Sequence, residues 1–308
     1  MQTDFVRSTG FGGISARQTE SRAWEGSNVE VGAPRCKTGD VIRPAARCLI
    51  VAAVILSIGT NATAASGRVT AKHITLVAVG DSLPYGRGDC GFCQTFVDLF
   101  RTAVSRHGHV LVTERNLSEH TGIDSGDLRR QMHSNRSLRR AVAGASVITV
   151  TIGHNDPPWN NDHDSCDGSG GYPHADYSKY GAGCVDAIAS LFRSNLDSIL
   201  KTIVTLRAGR ATILRITNDY NDSIGDPVIP RSAYAVVKPF YDRDAAIARE
   251  LARKYHGICI DTYHAFNGAK GDRDAGPLLA QDHTHPNAKG HKLIARLLVR
   301  AGYRPLFP

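Results

Sequence analysis

Beyond residue 70 the chain carries five short apolar runs that are nearly continuous rather than alternating. They are HITLVAV (73–79), HVLVTE (109–114), SVITVTI (146–152), ATILRIT (211–217) and GICIDTY (257–263). Continuous β-branched runs of this length belong to parallel strands covered on both faces. Helical patterns separate them. Val185, Ile188, Ala189, Phe192, Leu196, Ile199, Leu200 and Ile203 form one wide apolar stripe. Shorter stripes join Phe92, Phe96, Phe100 and Ala103, then Ile247, Leu251 and Tyr255, then Leu293, Ile294, Leu297 and Leu298. Strands alternating with helices through right-handed crossovers predict an α/β chain folded as a three-layer α/β/α sandwich on a doubly wound parallel sheet. A chain of 308 residues that is 42% hydrophobic has enough apolar side chains for one such domain, and wholesale disorder is excluded. With five strands the commonest order is 2-1-3-4-5, whose ligand crevice opens at the carboxyl ends of strands 1 and 3.

That topology nominates the loops before any motif is consulted. After strand 1 come Gly80, Asp81, Ser82 and Leu83; strand 2 is followed by RNLSEHTGIDSGDL, with Asn116 and Gly122; after strand 3 come Gly153, His154, Asn155 and Asp156. Each is explained singly by turn formation, but their joint placement on one rim is not. Beyond strand 5, Asp282 and His285 are three apart, so the carboxylate can take the imidazole Nδ1 hydrogen while Nε2 faces the crevice. A serine hydroxyl is a weak nucleophile that needs such a base, and an acid that fixes the base's tautomer. The developing oxyanion needs donors, which the backbone N–H groups of Ser82 and Gly122 and the side-chain amide of Asn155 would supply.

These blocks resemble the GDSL family of hydrolases, also called SGNH hydrolases. The GDSL block matches at Gly80 to Leu83, the GxND block at Gly153 to Asp156, and the DxxH block at Asp282 to His285. The glycine block is looser: Gly122 competes with Gly126, and Asp127, five past Gly122, favours the first. The resemblance spans about residues 73 to 302. It implies a flavodoxin-like fold and ester hydrolysis through an acyl-enzyme, with Ser82, Asp282 and His285 catalytic, Ser82, Gly122 and Asn155 as the oxyanion hole, and neither metal nor organic cofactor. A lipase or an acyltransferase with the same triad is the alternative within this chemistry. A non-catalytic module binding the cell envelope is the alternative outside it.

The first 64 residues read as a leader and signal peptide, leaving the hydrolase domain at 65–308. Arg43 and Arg47 precede the apolar run CLIVAAVILSI (48–58), and a small-residue site, Ala62, Thr63 and Ala64, follows. The run is shorter than the about 20 residues a membrane span needs, so a secreted or extracytoplasmic protein is expected, with an uncleaved anchor as the other reading. The long stretch before Arg43 raises a start further downstream, for instance at Val41. In an oxidising compartment, Cys90, Cys93, Cys166 and Cys184 suit two disulfides and Cys259 a buried free thiol.

Several motifs compete for a role. Cys90-Gly-Phe-Cys93 sits where a redox pair would, Asp282, His283 and His285 hold metal-ligand chemistry, and residues 160–168 are similar to a calcium loop with its spacing off by one. The redox reading leaves the serine, amide and histidine loops without a task, the metal reading lacks a third soft ligand and the calcium reading lacks its glutamate, so none is preferred, and His283 is expected to be exposed. The net charge is +8, yet its densest part, LRRQMHSNRSLRR (128–140), has no interleaved aromatic platform and reads as a solvated helix face, not a nucleic-acid surface. A basic surface also suits contact with an anionic cell envelope, and a monomer is expected. The segment 157–184 lacks the apolar helical face of a lid for long acyl chains. The expected substrate is therefore a short-acyl or polar ester, such as one on a glycan, with a cystine-stapled surface loop as the plainer reading of that segment.

Overall fold

Where a run is apolar on both faces of the strand, the strand lies at the centre of the sheet. The computed structural model describes residues 72–86, 90–160, 166, 171–172 and 174–308. The leader and signal peptide expected over 1–64, and most of the 160–168 loop, lie outside the described residues. The chain runs β1 (His73–Gly80), α1 (Ser82–Tyr85), α2 (Phe96–Gly108), β2 (Leu111–Asn116), α3 (Ser125–Ser134), α4 (Arg136–Gly144) and β3 (Val147–Thr151). It continues through α5 (Ala182–Arg207), β4 (Ile213–Thr217), α6 (Tyr234–Lys254), β5 (Ile258–Ile260), α7 (Thr262–Asn267) and α8 (Ala288–Arg300). All five strands pair in parallel in the order β2-β1-β3-β4-β5, as the sequence predicts. Every residue of β3 and β4 is buried.

Two helical layers cover the sheet. On one face Val77, Val79, Ile148, Val150 and Ile216 pack against Leu128, Val142, Phe192, Leu196 and Leu251, from α3, α4, α5 and α6. On the other, Leu76, Ala78, Val147 and Ile213 meet Phe96, Phe100, Ile294 and Leu298, from α2 and α8. The basic stretch 128–140 becomes two helices parted at Asn135, whose side chain caps α4 by accepting from Ser137 N–H and Leu138 N–H. Leu128, Met132 and Leu138 point inward, while Arg129, Arg130 and Arg140 are exposed.

Local chemistry moves three of the expected elements. Strand 2 lies at Leu111–Asn116 rather than 109–114, because His109 takes the left-handed conformation that ends α2; it is an edge strand of alternating exposure. Strand 5 stops at Ile260, because Asp261 caps a new helix there by accepting from His264 N–H. Phe92 is not on the α2 stripe. It lies outside the helix, 90% exposed, because Thr95 and Asp98 form a capping box that starts α2 at Phe96.

The segment after β3 is also more than a surface loop. Trp159, Tyr177 and Tyr180 are buried in a third cluster with Phe240, Tyr241 and Tyr263. Their rings meet edge to face: Trp159 and Phe240 centroids lie 5.9 Å apart at 85°. Disulfides join Cys90 to Cys93 and Cys166 to Cys184, and Cys259 is the free thiol among the described residues. Burial pushes the Cys259 thiol up to about 12, helped by the charge of Asp244, which leaves it inert.

Candidate active site

Ser82 is the first residue of α1, immediately beyond the carboxyl end of β1. Two features hold it there. Gly80 has φ +145°, and a Cβ at that position would fall 1.6 Å from the carbonyl oxygen of Thr151, so only glycine lets β1 lie against β3 at this point. Asp81 then caps α1: its carboxylate accepts from Leu83 N–H at 3.0 Å, while its own N–H donates to Thr151 O at 3.1 Å. Asn116, at the end of β2, ties the neighbouring loop to this turn by donating from Nδ2 to Pro84 O at 2.8 Å.

The opposite wall is a closed turn. Ala280 N–H donates to His285 O at 2.7 Å and Asn287 N–H to Leu278 O at 2.9 Å, which pins His285 between them. His285 Nδ1 lies 2.7 Å from Asp282 Oδ2, and Asp282 Oδ1 accepts from the N–H groups of Thr284 and His285, each at 3.0 Å. Burial works against the Asp282 charge, but these hydrogen bonds prevail and hold its carboxyl down at about 2. An ionised acceptor places the imidazole proton on Nδ1. Nε2, left with a lone pair, is buried and has no hydrogen-bond partner among the described residues.

Ser82, Gly122, Asn155 and His285 line one cavity of about 270 Å³. The sequence-expected hydroxyl, imidazole, glycine and amide therefore converge. Gly122 has φ +69° with open space around it, so its requirement is torsional, and Gly126, inside α3, does not line the cavity. Asn155 Nδ2 donates one hydrogen to Ile123 O at 2.9 Å, which leaves the second hydrogen of the amide for another acceptor. Asp156 accepts from Ser125 N–H at 2.9 Å and from the Ser125 hydroxyl, tying the loop after β3 to the start of α3. Burial raises its pKa to about 8, against the pull of those Ser125 hydrogen bonds.

Other walls come from residues the motifs do not nominate: His120, His154, Asn160, Tyr172, Asp222, Ile229 and Thr284. The His120 ring stacks on His285, centroids 5.2 Å apart at 18°. His154 is buried and pairs through Nε2 with Asp222 Oδ2 at 3.2 Å. Burial disfavours its charge, but the carboxylates of Asp222, Asp219 and Asp81 overcome that and raise it to about 10, and His154 lines the same cavity as Ser82. Tyr172 donates to Asp226 Oδ2 at 2.9 Å. Asp222, Asp226 and Ile229 belong to the segment after β4, which the strand order already places on this rim; the run NDYNDSIGD was the available signal. Tyr172 lies in the 157–184 segment, whose place after strand 3 puts it beside the crevice, though no motif singles it out.

The competing ligand sets fare differently. His283 is half-buried rather than exposed, at φ +58°. Among the described residues the clustered metal-ligating side chains are Cys90, Cys93 and His291, not Asp282, His283 and His285. The two sulfurs of that cluster are already joined to each other.

Solved structures share this fold. The lipase Lip_vut3 from a goat rumen metagenome is 20% identical, with a TM-score of 0.60 over 76% of this chain and 99% of its own. Axe2, an acetylxylan esterase from Geobacillus stearothermophilus, is 17% identical, with a TM-score of 0.51 over 77% of this chain and 98% of its own. No curated protein matches the chain. The model of the GDSL-like lipase/acylhydrolase family matches residues 78–293, from within β1 to within α8. With that span covering the Ser82 turn, the loop after β3 and the His285 turn, the chain belongs to the GDSL-like lipase/acylhydrolase family and so to the carboxylic ester hydrolases.

Proposed function

We propose that the protein is an exported serine esterase that cleaves short-acyl esters of polar alcohols, glycans among them, through an acyl-enzyme on Ser82. The observation that carries this is the shared cavity: Ser82, Gly122, Asn155 and an Asp282-held His285 face one space of about 270 Å³ whose walls, Gly122 and Ile229 apart, are polar or aromatic. That volume lies below the roughly 300–1,000 Å³ usual for small-molecule sites, which favours a short acyl group. Ser82 Oγ attacks the ester carbonyl as His285 Nε2 takes its proton, and the same imidazole returns that proton to the departing alcohol. Asp282 keeps the ring oriented and stabilises its charged form. The tetrahedral oxyanion is held by Ser82 N–H, Gly122 N–H and the second Asn155 hydrogen, and water then releases the acid. Two disulfides support an extracytoplasmic site of action, and no helix among the described residues is long and apolar enough to cross a membrane.

The test is hydrolysis of p-nitrophenyl acetate, butyrate and octanoate, and of acetylated xylan, by purified protein beside Ser82→Ala. Activity is expected to be highest on acetate and to fall by at least about 10³ in the variant. Equal rates in the two proteins refute the serine mechanism. A preference for octanoate refutes the short-acyl reading while leaving the mechanism standing.

A further inference from the structure

A second cavity, of about 490 Å³, opens beside the amino ends of β4 and β5, the opposite end of the sheet from Ser82. Its walls include Arg207, Arg210, Arg215, Arg304 and His256, and no carboxylate. Arg207 and Arg215 are buried, 6% and 2% exposed, while Arg210, Arg304 and His256 are exposed at the mouth. None of the four guanidinium groups pairs with a carboxylate among the described residues. Arg207 donates to Thr212 Oγ1 at 2.7 Å and to Ala143 O at 2.6 Å. Arg210 donates to the carbonyls of Arg207 and Leu206, and Arg215 to those of Leu214, Ala301 and Gly302. Arg215 Nε is buried with no partner among the described residues.

Some of those carbonyls are the carboxyl ends of α5 and α8, each worth about half a negative charge. Four full positive charges outweigh them. Burial accordingly lowers Arg215 to about 10, and burial with the charge of Arg210 lowers Arg207. A buried cation without a counter-charge is costly, and guanidinium is the group whose paired N–H donors match an oxyanion. The remaining wall includes under-covered apolar side chains: Val204 and Ile258 are 39% and 42% exposed, and Leu214, itself buried, also lines the cavity.

We propose that this cavity is a binding site for an oxyanion carried on a short apolar arm, an alkyl phosphate or a fatty carboxylate. The arginines hold the anion, and Val204, Leu214 and Ile258 hold the arm. The site stands independently of the esterase reading, since it shares no residue with the Ser82 cavity.

Calorimetric titration of the full chain with octyl phosphate, octanoate, inorganic phosphate and octanol, each below its micellar concentration, tests this. One amphiphilic anion should bind at a single site, more weakly as salt rises; inorganic phosphate should bind at least about tenfold more weakly, and octanol not at all. Which of octyl phosphate and octanoate binds more tightly identifies the anion. In Arg210→Ala/Arg304→Ala, where both side chains are exposed and the fold is spared, affinity should drop at least about tenfold while p-nitrophenyl acetate hydrolysis stays unchanged. Absence of binding by both anions, binding that survives in the double variant, octanol binding as well as they do, or inorganic phosphate matching them would each overturn the proposal.

Discussion

Asn155 spends one amide hydrogen on Ile123 O and holds the other over the cavity. Asn155→Ala should lower kcat for p-nitrophenyl acetate by about 10² to 10³ with a much smaller change in KM, because in the proposed mechanism the lost bond forms only in the transition state. Its neighbour Asp156 makes a prediction about pH. Burial raises Asp156 to about 8, Asp244 to about 7 and Asp81 to about 6, each from 3.8. The folded protein therefore holds protons that the unfolded chain releases above pH 4, and stability falls as pH rises through each of those values. His154 has the same sign: raised to about 10 from 6.5, its contribution is complete below 6.5 and lost as pH climbs through 10. Denaturant unfolding at pH 5, 7 and 9 should show declining stability, with Asp156→Asn flattening the slope between pH 5 and 8 by roughly 1 kcal/mol per pH unit. An unchanged slope would mean that Asp156 is ionised in the fold. Ser82, Asn155, Asp282 and His285 were legible in the sequence because each sits in a short motif, the first two just past a strand's end and the last two in the turn before α8. The His154–Asp222 pair was not, since its halves are 68 positions apart in loops after different strands and neither residue type alone signals a partner.

Among elements, the turn after β1 and the turn after β2 both depend on glycine, for opposite reasons. Gly80→Ala puts a methyl group into the Thr151 carbonyl, backbone against backbone, so β1 and β3 must part; no soluble folded protein is expected. Gly122→Ala meets nothing within 4 Å and bears only the left-handed torsion, about 1–2 kcal/mol. Asn, which tolerates that region, should cost less. Urea midpoints of Gly122→Ala and Gly122→Asn, beside the yield of Gly80→Ala, check the contrast. Hydrophobic period identified all five strands and their parallel character, and the commonest order for such a sheet supplied theirs. The period missed where some elements begin and end, because these points are set by single residues: a left-handed His109 before β2, the Asp261 cap after β5, and the Thr95–Asp98 box at the start of α2. The aromatic cluster around Trp159 was missed for a different reason. Its tyrosines are scattered among Gly, Asp and Ser with neither helical nor strand period, and only the packing of α6 reveals what they bury.

At the scale of the whole molecule, Cys166–Cys184 ties the segment bearing Tyr172 to α5 across 18 positions. Closing a loop of that size restricts the unfolded chain by about 3 kcal/mol. Cys166→Ser/Cys184→Ser should unfold at correspondingly lower denaturant and raise KM for esters while largely sparing kcat, since Tyr172 lines the cavity and Ser82, Asn155 and His285 are anchored elsewhere. An unaltered KM would show that this segment has no part in holding substrate. The central rungs of the sheet join Leu76 to Val147 and Val147 to Ile213, partners distant along the polymer. Contacts of that kind close late and slowly during folding. Ser82 follows β1 and His285 lies beyond β5, so the two reach one cavity only where the intervening strands have paired: a fragment that lacks either end of the sheet would carry half of the pair and none of the space between.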